Sequence, residues 1–117
     1  VADLHHGLAN GIMIDHVMRF NLPAAVAKMA ELARVTGAPG GGSGSEEARA
    51  QAFVDHLAAL KRVVGIPATL AARSSGRAIT AADLPALVGI AVKDFCHQTN
   101  PRPCTASDFE ALFRAAM

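Results

Sequence analysis

HHGLANGIMIDHVMRFN, residues His5 to Asn21, is the stretch from which the rest of the chain can be read. Gly7 and Asn10 aside, Leu8, Ile12, Met13, Ile14, Val17, Met18 and Phe20 cover nearly the whole circumference of a helix. A helix that is apolar all round belongs in the middle of a bundle. The spacing predicts a helix from about Gly7 to Phe20, with two histidines at its mouth. Asn21, a good N-cap, and Pro23, which suits a first helical turn, mark the break after it.

Outward from this helix the chain keeps helical periodicity. A second helix is expected over Leu22 to Val35, with Val26, Met29, Ala30 and Ala33 on one face, Lys28, Glu31 and Arg34 on the other, and Gly37 as its C-cap. Residues 37–45, GAPGGGSGS, read as a flexible loop whose composition resembles an engineered linker as much as a natural one. It is no phosphate loop, because no strand precedes it and no Lys-Ser or Lys-Thr comes after it. Ser45 should cap a third helix, with Glu46 and Glu47 at the positive end of its dipole and Lys61 and Arg62 at the negative end. Phe53, Leu57, Leu60 and Val64 make its apolar stripe, and Gly65-Ile66-Pro67 stops it.

Beyond Pro67 the pattern weakens to a helical turn over Thr69 to Ala72 and a turn at Ser74-Ser75-Gly76. Asp83 is the expected cap of a fourth helix whose Leu84, Leu87, Val88, Ala91 and Phe95 face inward. Asn100 must leave the helical region because Pro101 comes next. Thr105 and Asp108 have the spacing of a capping box for a last helix that buries Phe109, Leu112 and Phe113. No alternating strand pattern occurs. The fold class is therefore all-α, a helical bundle of about five helices forming one domain over residues 1–117.

At 117 residues the chain is long enough for a real core. With 51% hydrophobic and 18% charged residues and a net charge of +1, it shows neither the signature of disorder nor a nucleic-acid footprint. Tyr and Trp are absent, which argues against an aromatic surface for stacking bases. No apolar run approaches the roughly 20 residues of a membrane span, and the N-terminus lacks a signal-peptide layout, so the chain reads as cytoplasmic with no membrane partner. Cys96 and Cys104 flank a Pro-rich loop; in that compartment they read as reduced thiols, a disulfide across the loop being the other reading. The chain begins at Val1 and runs straight into its central helix, so it reads as a piece of a larger polypeptide.

Two motifs carry a family resemblance: His6-Gly7-Leu8-Ala9-Asn10 with the helix end Val17-Met18-Arg19-Phe20-Asn21, and later Thr99-Asn100-Pro101-Arg102-Pro103. Together they resemble the iron-containing (group III) alcohol dehydrogenases, in the superfamily that includes dehydroquinate synthase. The order and spacing of the segments between also resemble that family's C-terminal, all-helical half. The resemblance implies the C-terminal part of a dehydroquinate synthase-like helical domain, from an NAD(P)-dependent enzyme that interconverts an alcohol with an aldehyde or ketone. It implies that His6 is one of four protein ligands, one Asp and three His, holding Fe2+ or Zn2+. The family's other three ligands and its nucleotide-binding half precede this stretch. By that reading the chain alone would bind neither metal nor NAD(P), would be inactive, and would partner the missing N-terminal half or another chain supplying it. Homo-oligomerisation through the apolar face left uncovered is also expected. No residue here is assigned a catalytic or cofactor-binding role.

The residues by themselves leave His6 a second reading, as a capping or loop histidine. His5 stands where many family members have Pro and is open to three readings: a donor behind a ligand, a bystander or a substitute ligand. His6 is preferred for its adjacency to Gly7. His5 and His16 cannot share a metal, since eleven residues of helix separate them by roughly 16 Å. Asp15-His16 replaces a Pro-His common in the family; Asp15 is expected to be solvated or paired with Arg19 at i+4, and His16 to be a helix contact. Cys96, His97 and Cys104 match no zinc spacing, and His56 is expected on a solvated face. Arg102 can donate to exposed carbonyls at a helix end, so the Pro-rich loop reads as architecture. Two rivals to the enzyme fragment stand beside it: a helical interaction module without catalysis, and one chain of a split enzyme.

Overall fold

The computed structural model describes residues 4–73 and 77–117; the turn expected at Ser74-Ser75-Gly76 lies outside them. Five α-helices occur among the described residues, and no strand: α1 His6–Asn21, α2 Val26–Thr36, α3 Glu46–Val63, α4 Leu84–Lys93 and α5 Ala106–Ala115. Short 3-10 turns at Leu22–Ala24, Leu70–Arg73, Ala81–Asp83 and Phe95–Thr99 join them. Among the described residues no helix is long and apolar enough to cross a membrane.

Two apolar clusters hold the helices together. One lies in the α2–α3 hairpin, where Met29, Ala30, Ala33, Ala38, Ala50, Phe53 and Val54 are buried and Met18 of α1 packs against them. The other gathers Ile12 of α1 with Leu70, Ile79 and Ala116, flanked by Leu8, Met13, Ile66, Leu87 and Phe113. Because α1 contributes to both clusters, it is the element that makes the two halves one body. Its circumference is not closed, however: only Ile12 and Asn21 are buried, and Ile14 is exposed. The expected central helix is thus lined on the sides facing α3 and α5 and open elsewhere.

Local chemistry explains most boundaries and several departures. Pro23 belongs to a 3-10 turn, so α2 starts at Val26, and Asn21 does not cap it. The Asn21 side chain is engaged across the molecule, exchanging amide hydrogen bonds of 2.8 and 2.6 Å with Asn100, whose amide also donates to the Arg102 carbonyl. Arg102 donates to the Phe20 carbonyl at 3.1 Å and lies over the Phe20 ring, 4.0 Å from its centroid. The loop after Asn100 is therefore a latch on the C-terminal end of α1, as expected of its arginine. Asn100 itself is extended, at φ −67° and ψ 139°.

Gly37, at φ 68°, ends α2 by letting its own amide reach the Arg34 carbonyl and that of Ala38 the Ala33 carbonyl. The glycine-rich segment after it is not a free linker. Ala38 and Gly41 are buried, and a Cβ on Gly41 would stand 2.5 Å from the Ala33 carbonyl oxygen. The glycine at 41 is there for close approach of the loop to α2. Ser45 caps α3 as expected, accepting from the Ala48 amide. The inward stripe of α3 departs in part from expectation: Phe53 and Leu57 face the core as expected, but Leu60 and Val64 are exposed, and the core face continues through Ala50, Val54 and Lys61.

Asp83 stands at the N-cap position of α4 as expected but makes no side-chain cap bond to it, and the residue that caps the turn before it is Thr80. The 3-10 turn at Ala81–Asp83 adds a turn ahead of the helix, so Asp83 becomes the reciprocal member of a capping box with Thr80. Its carboxylate also accepts two hydrogen bonds from Arg77, and the Arg77 and Thr80 bonds hold it well below the usual carboxylate range. Phe95, expected inward, is 75% exposed because Asp94 leaves the helix and caps the next turn through the Cys96 amide. Thr105 and Asp108 form the expected box at α5, but Phe109, Leu112 and Phe113 are half-buried. The fully buried residue there is Ala116, whose carbonyl accepts from the Leu70 amide at 2.7 Å.

Three substitutions test this packing in chemical denaturation. Gly41→Ala should destabilise by about 2 kcal/mol or more, since the backbone contact leaves no room, while Gly42→Ala, with open space around it, should stay within about 0.5 kcal/mol of the parent; equal midpoints would mean the loop is a slack linker. Asn100→Ala should cost about 1–3 kcal/mol by leaving the buried Asn21 amide unpaired.

Candidate metal-ligand site at the start of the central helix

The two histidines at the mouth of α1 have different duties. His5 is extended, at φ −55° and ψ 130°, and its Nδ1 accepts from the Gly7 amide at 3.2 Å. It is the N-cap, a role a histidine can fill with an unprotonated ring nitrogen. Its carbonyl receives the first helical hydrogen bond, from Ala9. His6 is the first residue of α1 and is exposed, with its Nε2 3.1 Å from the side-chain amide of Asn10 one turn on. His6, Ala9, Asn10 and Met13 share one face of the helix by their spacing.

Among the described residues no group of three His, Cys, Asp or Glu side chains could hold a metal ion. His5, His6 and His16 do not converge. Neither do Cys96, His97 and Cys104: both cysteines are free, and the His97 ring stands nearly perpendicular to that of Phe109, their centroids 5.3 Å apart. The Asp94 carboxylate pushes the Cys96 thiol up, and burial with the charge of Asp108 does the same for Cys104, so neither is a ready thiolate. With Asn10, Phe20 and Asn100 they line an open groove of about 540 Å³. His56, expected in solvent, is half-buried.

Midway along α1 lies a polar cluster not expected from the sequence. Lys61 of α3 is only 8% exposed; its Nζ donates to the Ile12 carbonyl at 2.6 Å and to the Asp15 carboxylate. Asp15 is therefore half-buried and paired with Lys61, not with Arg19, which instead approaches Asp55 at 3.5 Å. The signal was the spacing of Ala50, Val54, Leu57 and Lys61, which puts the lysine on the inner stripe of α3. Burial raises the Asp15 carboxyl, but the Lys61 hydrogen bond and the nearby charges of His16 and Lys61 outweigh it, and the net shift is downward. His16, 3.9 Å from that carboxylate, is pushed down by burial and by Lys61 and Arg19, against the opposing pull of Asp15.

The arrangement is an all-helical domain that presents one exposed imidazole at the first residue of its shared helix. It superposes on the crystal structure of 1,3-propanediol oxidoreductase with a TM-score of 0.89 and 31% identity, over 100% of this chain and 29% of that one. Residues 1–117 match the family described as Fe-containing alcohol dehydrogenase, C-terminal, and the chain belongs to that family as its C-terminal helical domain. It is 41% identical over 111 residues to a lactaldehyde reductase of Escherichia coli, covering 95% of this chain and 28% of that protein. It is 34% identical over 114 residues to a 1,3-propanediol dehydrogenase of Klebsiella pneumoniae (97% and 28%) and 30% identical over 117 residues to an NAD-dependent methanol dehydrogenase of Bacillus methanolicus (100% and 29%). The chain spans under a third of the length of each of these relatives.

His16 makes stability depend on pH. Its folded pKa lies below the ordinary 6.5, so the unfolded chain takes up the extra proton; the contribution is intact above 6.5 and is lost as pH falls below it toward the depressed folded value. Urea midpoints measured between pH 7.5 and 5.5 should fall with pH in the parent and fall less steeply in His16→Gln; parallel slopes would assign the effect to other groups.

Proposed function

We propose that this chain is the metal-facing helical part of an NAD(P)-dependent alcohol dehydrogenase, in which His6 is one ligand of a divalent iron or zinc ion. The observation that carries the reading is the exposed imidazole on the first residue of α1, in a chain of the Fe-containing alcohol dehydrogenase family. Imidazole is a fitting donor for either ion, and the helix start holds its backbone still. One histidine supplies only part of a catalytic site, which takes about three protein ligands. The rest of the donor set, and the nucleotide-binding half, would come from residues outside 1–117, and residues 1–117 by themselves would be inactive. Bound metal would polarise the substrate oxygen while the nicotinamide exchanges hydride with the adjoining carbon.

The part played by this chain's own residues is positional. His5 satisfies the helix start so that His6 is free of capping duty, and Asn10 steadies the His6 ring from one turn below. The names of the relatives support a small alcohol or aldehyde as substrate, and one of those names supports NAD. We place residues 1–117 as one helical unit of a cytoplasmic enzyme, where both thiols stay free, and expect the enzyme to be a homo-oligomer. A second reading, a helical interaction module without catalysis, draws on the exposure of Val63, Val64 and Phe95.

Metal analysis and alcohol oxidation by the complete polypeptide that contains these residues separate the readings. Expected are about one iron or zinc per chain, and in His6→Ala a loss of metal with activity lowered by about 100-fold or more. His5→Ala should lose about 1 kcal/mol of stability through the missing cap yet keep its metal. Unchanged metal content in His6→Ala would sink the ligand assignment, and a metal-free, inactive parent would favour the interaction module.

A further inference from the structure

We propose that the part-buried Lys61–Asp15 pair is a positioning device for the proposed metal site, fixing the axial register of α1 and with it the place of His6; this rests on the reading of His6 as a ligand. The Lys61 ammonium leaves α3, crosses to α1, and donates both to the Ile12 backbone carbonyl and to the Asp15 carboxylate one turn on. Only 8% of Lys61 is exposed, and Ile12 not at all. Beside this contact Gly11 faces the Ile66 side chain so closely that a Cβ would stand 3.1 Å from its Cδ1. From there toward the mouth of α1 the hold loosens: Leu8 and Ala9 are half-buried, and Asn10, Gly7, His6 and His5 are exposed. The other polar fastenings lie further along: Arg19 approaches Asp55 of α3 at 3.5 Å, and Asn100 and Arg102 grip the far end at Phe20 and Asn21. Lys61 is thus the polar fastening between helices that lies nearest His6.

Register matters because the tolerances differ in scale. A slip of one residue moves a helix by about 1.5 Å along its axis, whereas metal–ligand distances are held to about 0.2 Å. The apolar contacts of α1 tolerate small slides, since they are non-directional. Hydrogen bonds from one ammonium to one named carbonyl and one carboxylate do not, as their strength falls with misalignment. A buried ion pair is weak as a source of stability and can instead specify one arrangement. That is the role assigned to it here.

The test pairs Zn2+ affinity, measured on the complete polypeptide by competition with a chelating dye, with thermal unfolding of the same samples. Asp15→Leu together with Lys61→Met removes both charges, so neither is left buried alone. The expected result is Zn2+ binding weakened by about 10-fold or more with a melting temperature close to the parent's, and substantial recovery in Lys61→Arg, which keeps a donor. A folded double variant whose affinity stays within about twofold of the parent overturns the proposal, because a merely structural pair would not alter binding by the folded protein. Should the double variant not fold, Asp15→Asn reads the same quantity, a loss beyond about threefold supporting the device and none overturning it. His6→Ala keeps the two failures apart: if it too leaves Zn2+ affinity unchanged, the ligand reading has failed, and if it abolishes binding while the double variant does not, only the positioning role has.

Discussion

The structure depends on how α1 is held. It turns His6, Asn10 and Arg19 to water, and it serves two apolar clusters at once: Met18 on the α2–α3 hairpin, and Ile12, Leu8 and Met13 on the group built from Leu70, Ile79 and Ala116. Apolar contact is strong but has little directional preference. The direction comes from polar groups, the Asn100–Arg102 loop clasping the last turn, Arg19 approaching Asp55, and Lys61 reaching the middle. Between them they define where the first turn, with His5 and His6, projects from the body.

Small residues make the rest of this compactness possible. Ala30, Ala33, Ala38 and Ala50 are buried in the hairpin, and Gly41 brings the connecting loop against the Ala33 carbonyl. With few large side chains to fill gaps, close backbone approach takes the place of bulk, which is why a stretch composed like a flexible linker is seated on the helix before it. The aromatic residues serve elsewhere: Phe20 supports Arg102, Phe109 supports His97, and Phe53 is the one phenylalanine that is buried.

Membership of the Fe-containing alcohol dehydrogenase family gives the exposed histidine its context. The division of labour between neighbours is a local matter of backbone geometry. An N-cap must be extended and lend an acceptor to an amide two or three residues on, which His5 does; the next residue enters the helix and its ring is left outward, held only by Asn10. A metal site assembled from separate parts of a polypeptide needs such a donor, immobile in its backbone and open at its ring.

Much of this was legible in the residues because it is governed by short-range rules. Periodicity gave five helices, and Gly37, Ser45, Gly65 and the Thr105–Asp108 pair marked ends that depend only on neighbours within a turn. The motif around His6-Gly7 pointed to the family, and Arg102 to a helix-end carbonyl. What the sequence could not show was the partner of any group that looks across the fold. Asp15 had an arginine at i+4, yet Lys61, forty-six residues away, takes it. Asn21 had the chemistry of a cap, yet Asn100 holds it. Leu60 and Val64 had the right spacing for a core face, yet the stripe through Ala50 and Lys61 faces inward. Helical propensity and capping are set within a turn, but which of two candidate faces is buried, and which charge meets which, depends on the neighbour that packs there. Only the tertiary structure supplies that neighbour.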